Sequence, residues 1–118
     1  MADVTIFHNP ACSKSRGALG ILEERGVAAE VVRYLDAPPD RPTLTRILDA
    51  IGGDPAALVR TGDARFAEAG FTKADVATRD GVLDVLLAEP RLMERPVVLV
   101  GDRGVIGRPP ERVLDLLG

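Results

Sequence analysis

Apolar residues fall into short runs whose spacing changes along the chain, and those changes divide it into elements. Val4 to Phe7 is a short β-rich run that breaks at the turn-like stretch His8-Asn9-Pro10-Ala11. From about Cys12 to Arg25, Ala18, Leu19, Ile21 and Leu22 form an apolar stripe at helical spacing. Glu23, Glu24 and Arg25 lie on the wet face and Gly26 is the stop. Glu30 to Leu35 reads as a second strand, ended by Asp36-Ala37-Pro38-Pro39-Asp40. Two strands joined by a helix make a βαβ unit, expected to be right-handed.

The middle of the chain takes the helical period. Thr43 to Ile51 carries Leu44, Ile47, Leu48 and Ile51 on one face and stops at Gly52-Gly53, and Asp54-Pro55 has the form of an N-cap followed by proline. Residues 60–72 have no decisive period. Asp80 to Glu89 is a further helix, with Val82, Val85 and Leu86 recurring at three and four residues before Pro90. The last third changes again. Pro96 to Val100 is a continuous apolar strand, Gly101 to Gly104 a turn, and Val105-Ile106 a short partner strand, which together make a hairpin. Glu111 to Leu117 closes the chain as a helix with Val113, Leu114 and Leu117 facing in. The order β-α-β, helices, β-β-α is that of an α/β, thioredoxin-like fold, a mixed four-stranded sheet flanked by helices.

Length and composition limit what such a fold can carry. With 118 residues, 46% hydrophobic and 28% charged, the chain reads as a single domain over residues 1–118 with room for one site. No run approaches the roughly 20 apolar residues of a membrane span. Asp3 and His8 flank a run too short for a signal peptide, so the expected location is cytoplasmic. A net charge of −3 with three Phe, one Tyr and no Trp argues against a nucleic-acid partner. Thirteen of the fifteen basic residues are arginine, so each arginine has to be argued by position.

The single cysteine, Cys12, excludes an internal disulfide and a multi-cysteine metal site, and no metal is expected. A lone cysteine is most often a small buried apolar residue. Cys12 differs in opening a helix among Ser13, Lys14, Ser15 and Arg16, where free N–H groups and the helix dipole favour a thiolate. The same donors suit a tetrahedral oxyanion. His8, four residues upstream, is placed to tune or pair with the thiolate, or to hold the loop by a hydrogen bond. Ser15 stands where a dithiol motif would place its second cysteine, and Ala18 where a phosphatase-type loop would place arginine. A later histidine for a cysteine protease is missing, because His8 is the only one. The resolving thiol must therefore come from another molecule.

Five motifs in order carry a family resemblance over the whole chain. They are His8-Asn9-Pro10-Ala11-Cys12-Ser13-Lys14-Ser15-Arg16, Tyr34-Leu35-Asp36-Ala37-Pro38-Pro39, Leu58-Val59-Arg60, Arg95-Pro96-Val97-Val98 and Gly107-Arg108-Pro109. The pattern resembles the glutaredoxin-coupled arsenate reductases, the ArsC family. The resemblance implies that Cys12 attacks arsenate while Arg60, Arg95 and Arg108 hold the oxyanion, with Ser15, Arg16 and Pro96 in support. Guanidinium forks pair bidentately with tetrahedral oxyanions, which agrees with those roles. It also implies a cis Arg95–Pro96 bond, no tightly bound cofactor, glutathione or another small thiol as co-substrate, glutaredoxin as partner, and action as a monomer. Ser13-Lys14 departs from the commonest filling of the first motif. Two other activities fit the superfamily: a glutathione-dependent thiol-disulfide reductase (deglutathionylase), and a non-enzymatic Spx-like transcriptional regulator, whose Cys-x-x-Cys switch Ser15 removes.

Overall fold

The computed structural model describes residues 4–117; of the domain expected over 1–118, residues 1–3 and 118 lie outside the described residues. The strands are β1 (Val4–Phe7), β2 (Ala29–Val32), β3 (Val97–Val100) and β4 (Arg103–Ile106). The helices are α1 (Ser13–Glu24), α2 (Arg41–Ile51), α3 (Ala64–Glu68), α4 (Arg79–Ala88) and α5 (Leu114–Leu117), joined by short 3-10 turns. The strands form one four-stranded sheet in the order β2-β1-β3-β4. β1 runs parallel to β2 and antiparallel to β3, and β3 runs antiparallel to β4, which makes the sheet mixed. The expected α/β thioredoxin-like architecture is the one observed.

Apart from Thr5, the residues of the two central strands are apolar, because both faces of the sheet are covered. Side chains alternate across a strand, so Val97 and Leu99 join the core under α2 and α4. Val98 joins Ile6, Ala18 and Leu22 under α1. Ile6, Leu22, Ile47 and Leu99 are fully buried, and each such side chain contributes roughly 1.5–3 kcal/mol. This double-sided core fixes β1 and β3 side by side, which places the loops that follow β1 and precede β3 at the same end of the sheet.

Boundaries differ from the sequence reading where local hydrogen bonds outweigh propensity. β2 stops at Val32 instead of Leu35, because Asp36 and Ala37 both donate their N–H groups to Arg33 O, at 2.9 and 3.0 Å, and turn the chain. The turn carries Tyr34 into the core and leaves Leu35 exposed. α2 begins two residues before Thr43, since Asp40 caps it by accepting the Thr43 N–H at 3.0 Å. Within the undetermined stretch, Asp63 caps the five-residue α3. The hairpin turn is shorter than expected: Val100 pairs with Arg103, and the turn is Gly101-Asp102 with Gly101 at φ +61°. The closing segment is a 3-10 turn, Pro110–Val113, running into α5. Val113 and Leu116, three residues apart, share the inward face and are buried, while Leu114 and Leu117 are only partly so.

Candidate active site

The loop after β1 is built by its own side chains. Cys12 donates its N–H to Asn9 O at 3.0 Å, and Asn9 Oδ1 accepts the Ala11 N–H at 3.0 Å. Arg16 reaches back to donate to Pro10 O at 2.9 Å. Ser15 is fully buried, and its Oγ accepts the Asn9 N–H at 3.0 Å while bonding His8 Nδ1 at 2.7 Å. Ser15 and Arg16 thus hold the loop from inside and outside.

Cys12 is the N-cap residue of α1 and is half-buried. Partial burial opposes its ionisation, but the Ser15 and Lys14 N–H groups and the nearby Arg95 guanidinium outweigh that. The thiol is held below its ordinary value of 9.0. The sign follows directly: lowering the pKa enlarges the thiolate fraction at neutral pH. The rate of Cys12 alkylation by iodoacetamide is expected to rise with pH through a midpoint below 9.0. A midpoint at or above that value would contradict an activated thiol.

His8 makes its hydrogen bond across the loop that carries Cys12. It is buried at the end of β1, and among the described residues its side-chain hydrogen bond is the one to Ser15. Burial first, then Arg33 and Arg16, lower its pKa and keep the ring neutral. Its contact bears on the geometry of the loop that presents Cys12.

Three segments bring Arg60, Arg95 and Arg108 together. Val59 bridges Met93, with Arg60 N–H donating to Leu92 O at 2.8 Å and Glu94 N–H to Leu58 O at 2.7 Å, which ties residues 58–60 to 92–94. Gly107 donates to Pro96 O at 2.8 Å, and a Cβ there would meet Pro96 Cγ at 2.8 Å, so only glycine allows this approach. Arg108 then donates to Arg95 O at 3.2 Å. Arg95–Pro96 is cis, as the resemblance implied, and Arg108–Pro109 is also cis, which was not expected. Pro96 is buried.

Two site residues escaped the sequence reading as individuals. Glu94 lies between the arginines, 3.5 Å from Arg108 Nε and 4.0 Å from Arg60 Nε. Tyr34 is fully buried, its hydroxyl turned toward the side chains of Asn9 and Arg95; burial raises its pKa and keeps it protonated. Asn9, Tyr34, Leu35, Arg65, Arg91 and Arg95 line a cleft of about 110 Å³ beside the cysteine loop. Among the described residues, the buried side-chain polar atoms without a hydrogen-bond partner are Tyr34 Oη, Arg60 Nη1 and Arg95 Nε, all donors in this neighbourhood. A buried donor left unpaired costs roughly 1–3 kcal/mol, a penalty that an acceptor-rich ligand would remove.

Fold and site define a thioredoxin-like protein that presents one activated cysteine beside a cluster of arginines. The family model described as the ArsC family matches residues 7–116, and the chain belongs to that family. It is 43% identical over 114 residues to the arsenate reductase of Neisseria meningitidis serogroup A, covering 96% of this chain and 97% of that protein. It is 40% identical over 116 residues to Uncharacterized protein YfgD of Escherichia coli K12, covering 98% and 97%. The solved structure of arsenate reductase from Vibrio cholerae superposes with a TM-score of 0.87 at 34% identity, covering 97% of each chain. Among the described residues, no helix is long and apolar enough to cross a membrane.

Proposed function

We propose that the protein reduces arsenate to arsenite, with Cys12 as nucleophile and external thiols as the reductant. The observation that carries this reading is the set of buried unpartnered donors, Arg60 Nη1, Arg95 Nε and the Tyr34 hydroxyl, one of them on the arginine whose guanidinium lowers the Cys12 pKa. An oxyanion supplies acceptors to such donors, and a thiolate supplies electrons to its central atom. The relatives' arsenate reductase names point the same way.

In the proposed reaction the Cys12 thiolate attacks arsenic, an S–As bond forms, and one As–O bond breaks with its oxygen leaving as water after protonation. Glutathione then adds its sulfur to arsenic with loss of a second water. The thiolate of glutaredoxin attacks the glutathione sulfur, forming a disulfide and leaving two electrons on arsenic, which passes from As(V) to As(III). Water cleaves the remaining S–As bond, releasing arsenite and the Cys12 thiol. Arg60, Arg95 and Arg108 hold the oxyanion, and Tyr34 donates a hydrogen bond from the floor of the cleft. The cleft lined by Arg65 and Arg91 gives an anionic thiol a route to the arsenic. No tightly bound cofactor takes part, and a reducing cytoplasm is the compartment that supplies the thiols. The protein acts as a monomer that meets glutaredoxin transiently.

The test is arsenite formation by the purified protein given arsenate, glutathione and glutaredoxin. Turnover should need all three and stop when glutathione is omitted. Rapid reduction of glutathionylated substrates with arsenate left untouched would sink the reading and favour a deglutathionylase. Co-purification with RNA polymerase and no turnover would favour a regulator.

A further inference from the structure

Two of the three guanidiniums, those of Arg60 and Arg108, meet at a carboxylate, an arrangement a simple anion receptor would avoid. Glu94 Oε1 lies 3.5 Å from Arg108 Nε and 4.0 Å from Arg60 Nε, and it accepts the Arg95 backbone N–H at 3.3 Å. All three contacts fall on Oε1, so Oε2 is left to accept a proton-bearing group. Two of the contacts are made at Nε, on the back of each guanidinium, and Arg60 Nη1 remains unpartnered for a ligand. The Glu94 backbone is held by the bond of its N–H to Leu58 O, which anchors the base of the side chain beside the segment that carries Arg60.

Charge sharpens the point. Asp63 also approaches Arg60 Nε, at 4.0 Å. Asp63 is shared with Arg65 Nη1, at 3.4 Å, so Glu94 and Asp63 together offset part of the positive charge of the arginines around the site. Net positive charge attracts any small anion alike, so telling one tetrahedral anion from another falls to hydrogen bonds. Arsenate and phosphate near neutral pH carry at least one O–H, which can donate to a carboxylate. Sulfate carries none, and each of its oxygens would face the carboxylate as acceptor against acceptor.

We propose that Glu94 is a specificity-determining residue whose carboxylate accepts the O–H of a protonated oxyanion, admitting arsenate- and phosphate-type anions and turning sulfate away. This rests on the oxyanion reading of the site. The chemistry is that of a donor cluster with one acceptor set in it, which a fully deprotonated tetrahedral anion cannot satisfy.

Protection of Cys12 from iodoacetamide by inorganic phosphate and by sulfate, at constant ionic strength, tests the idea without turnover. Phosphate should protect the unmodified protein at concentrations at least about tenfold below those of sulfate, the ratio expected for one charge-assisted hydrogen bond against one repulsive contact. Glu94→Gln, whose amide can donate, should bring the two anions within about threefold, and Glu94→Asp should keep the preference. Glu94→Ala serves the same purpose if the glutamine variant does not fold. Equal protection of the unmodified protein by both anions, or a preference that survives Glu94→Gln, would overturn the role of Glu94 alone. Failure of phosphate, arsenate and sulfate alike to protect Cys12 would overturn the oxyanion site itself, and the role of Glu94 with it.

Discussion

Cys12→Ser is expected to lower arsenate turnover at least about 1000-fold while phosphate binding at the site stays the same or tightens. The loss follows from the chemistry of the sulfur. Two N–H groups at the start of α1 and the Arg95 guanidinium shift a thiol enough to enlarge its thiolate fraction at neutral pH. The same interactions leave a serine hydroxyl almost wholly protonated, and oxygen cannot pass on the electron pair that a thiol–disulfide sequence requires. Binding should survive because the proposed anion donors come from other segments: Arg60 after the Pro55–Leu58 turn, and Arg95 and Arg108 on either side of the β3–β4 hairpin. Removing the thiolate also removes a negative charge from the site. Arsenite formation and phosphate titration on the same variant give the two readouts. Residual turnover above about 1% would assign the nucleophile elsewhere, and lost phosphate binding would mean that the substitution had disturbed the loop.

How much of this was legible in the sequence depends on whether the information was local. The β1–loop–α1 unit was readable, because a β-rich run, a proline and a helical stripe lie in consecutive residues, and the position of Cys12 at the helix start follows from them. The end of β2 was not. Tyr34 and Leu35 look like strand residues, and only the Arg33 carbonyl, accepting two N–H groups, shows that the chain turns there to bury Tyr34. The neighbourhood of His8 and Cys12 was visible, yet the ring's partner is Ser15, seven residues away and brought inside by one helical turn. Arg60, Arg95 and Arg108 were singled out only through the motif resemblance, since thirteen arginines make each one ordinary. Glu94 had no such mark among 18 acidic residues. Its meaning arises when the backbone ties of residues 58–60 and the approach of Gly107 to Pro96 bring the Arg60 and Arg108 guanidiniums to it.

Arg95→Ala is expected to reduce kcat/KM for arsenate by roughly 100- to 1000-fold, the range for removing one donor aimed at developing charge. It is also expected to raise the alkylation midpoint of Cys12 toward 9.0. The two effects belong together because Arg95 serves two neighbours. Its guanidinium stabilises the thiolate by charge and hydrogen bonding, and its Nε is buried without a partner beside the anion site. Arg95→Lys separates them. An ammonium keeps the positive charge and should hold the midpoint below that of the alanine variant, but it lacks the planar fork and should recover only part of kcat/KM. Arg60 and Arg108, which are not among the main causes of the Cys12 shift, should behave differently: alanine at either position weakens oxyanion binding and moves the midpoint less than Arg95→Ala does. A midpoint unmoved by Arg95→Ala would break the link between the arginine and the thiolate. An equal shift from all three arginines would mean that net charge, not the placement of Arg95, activates Cys12.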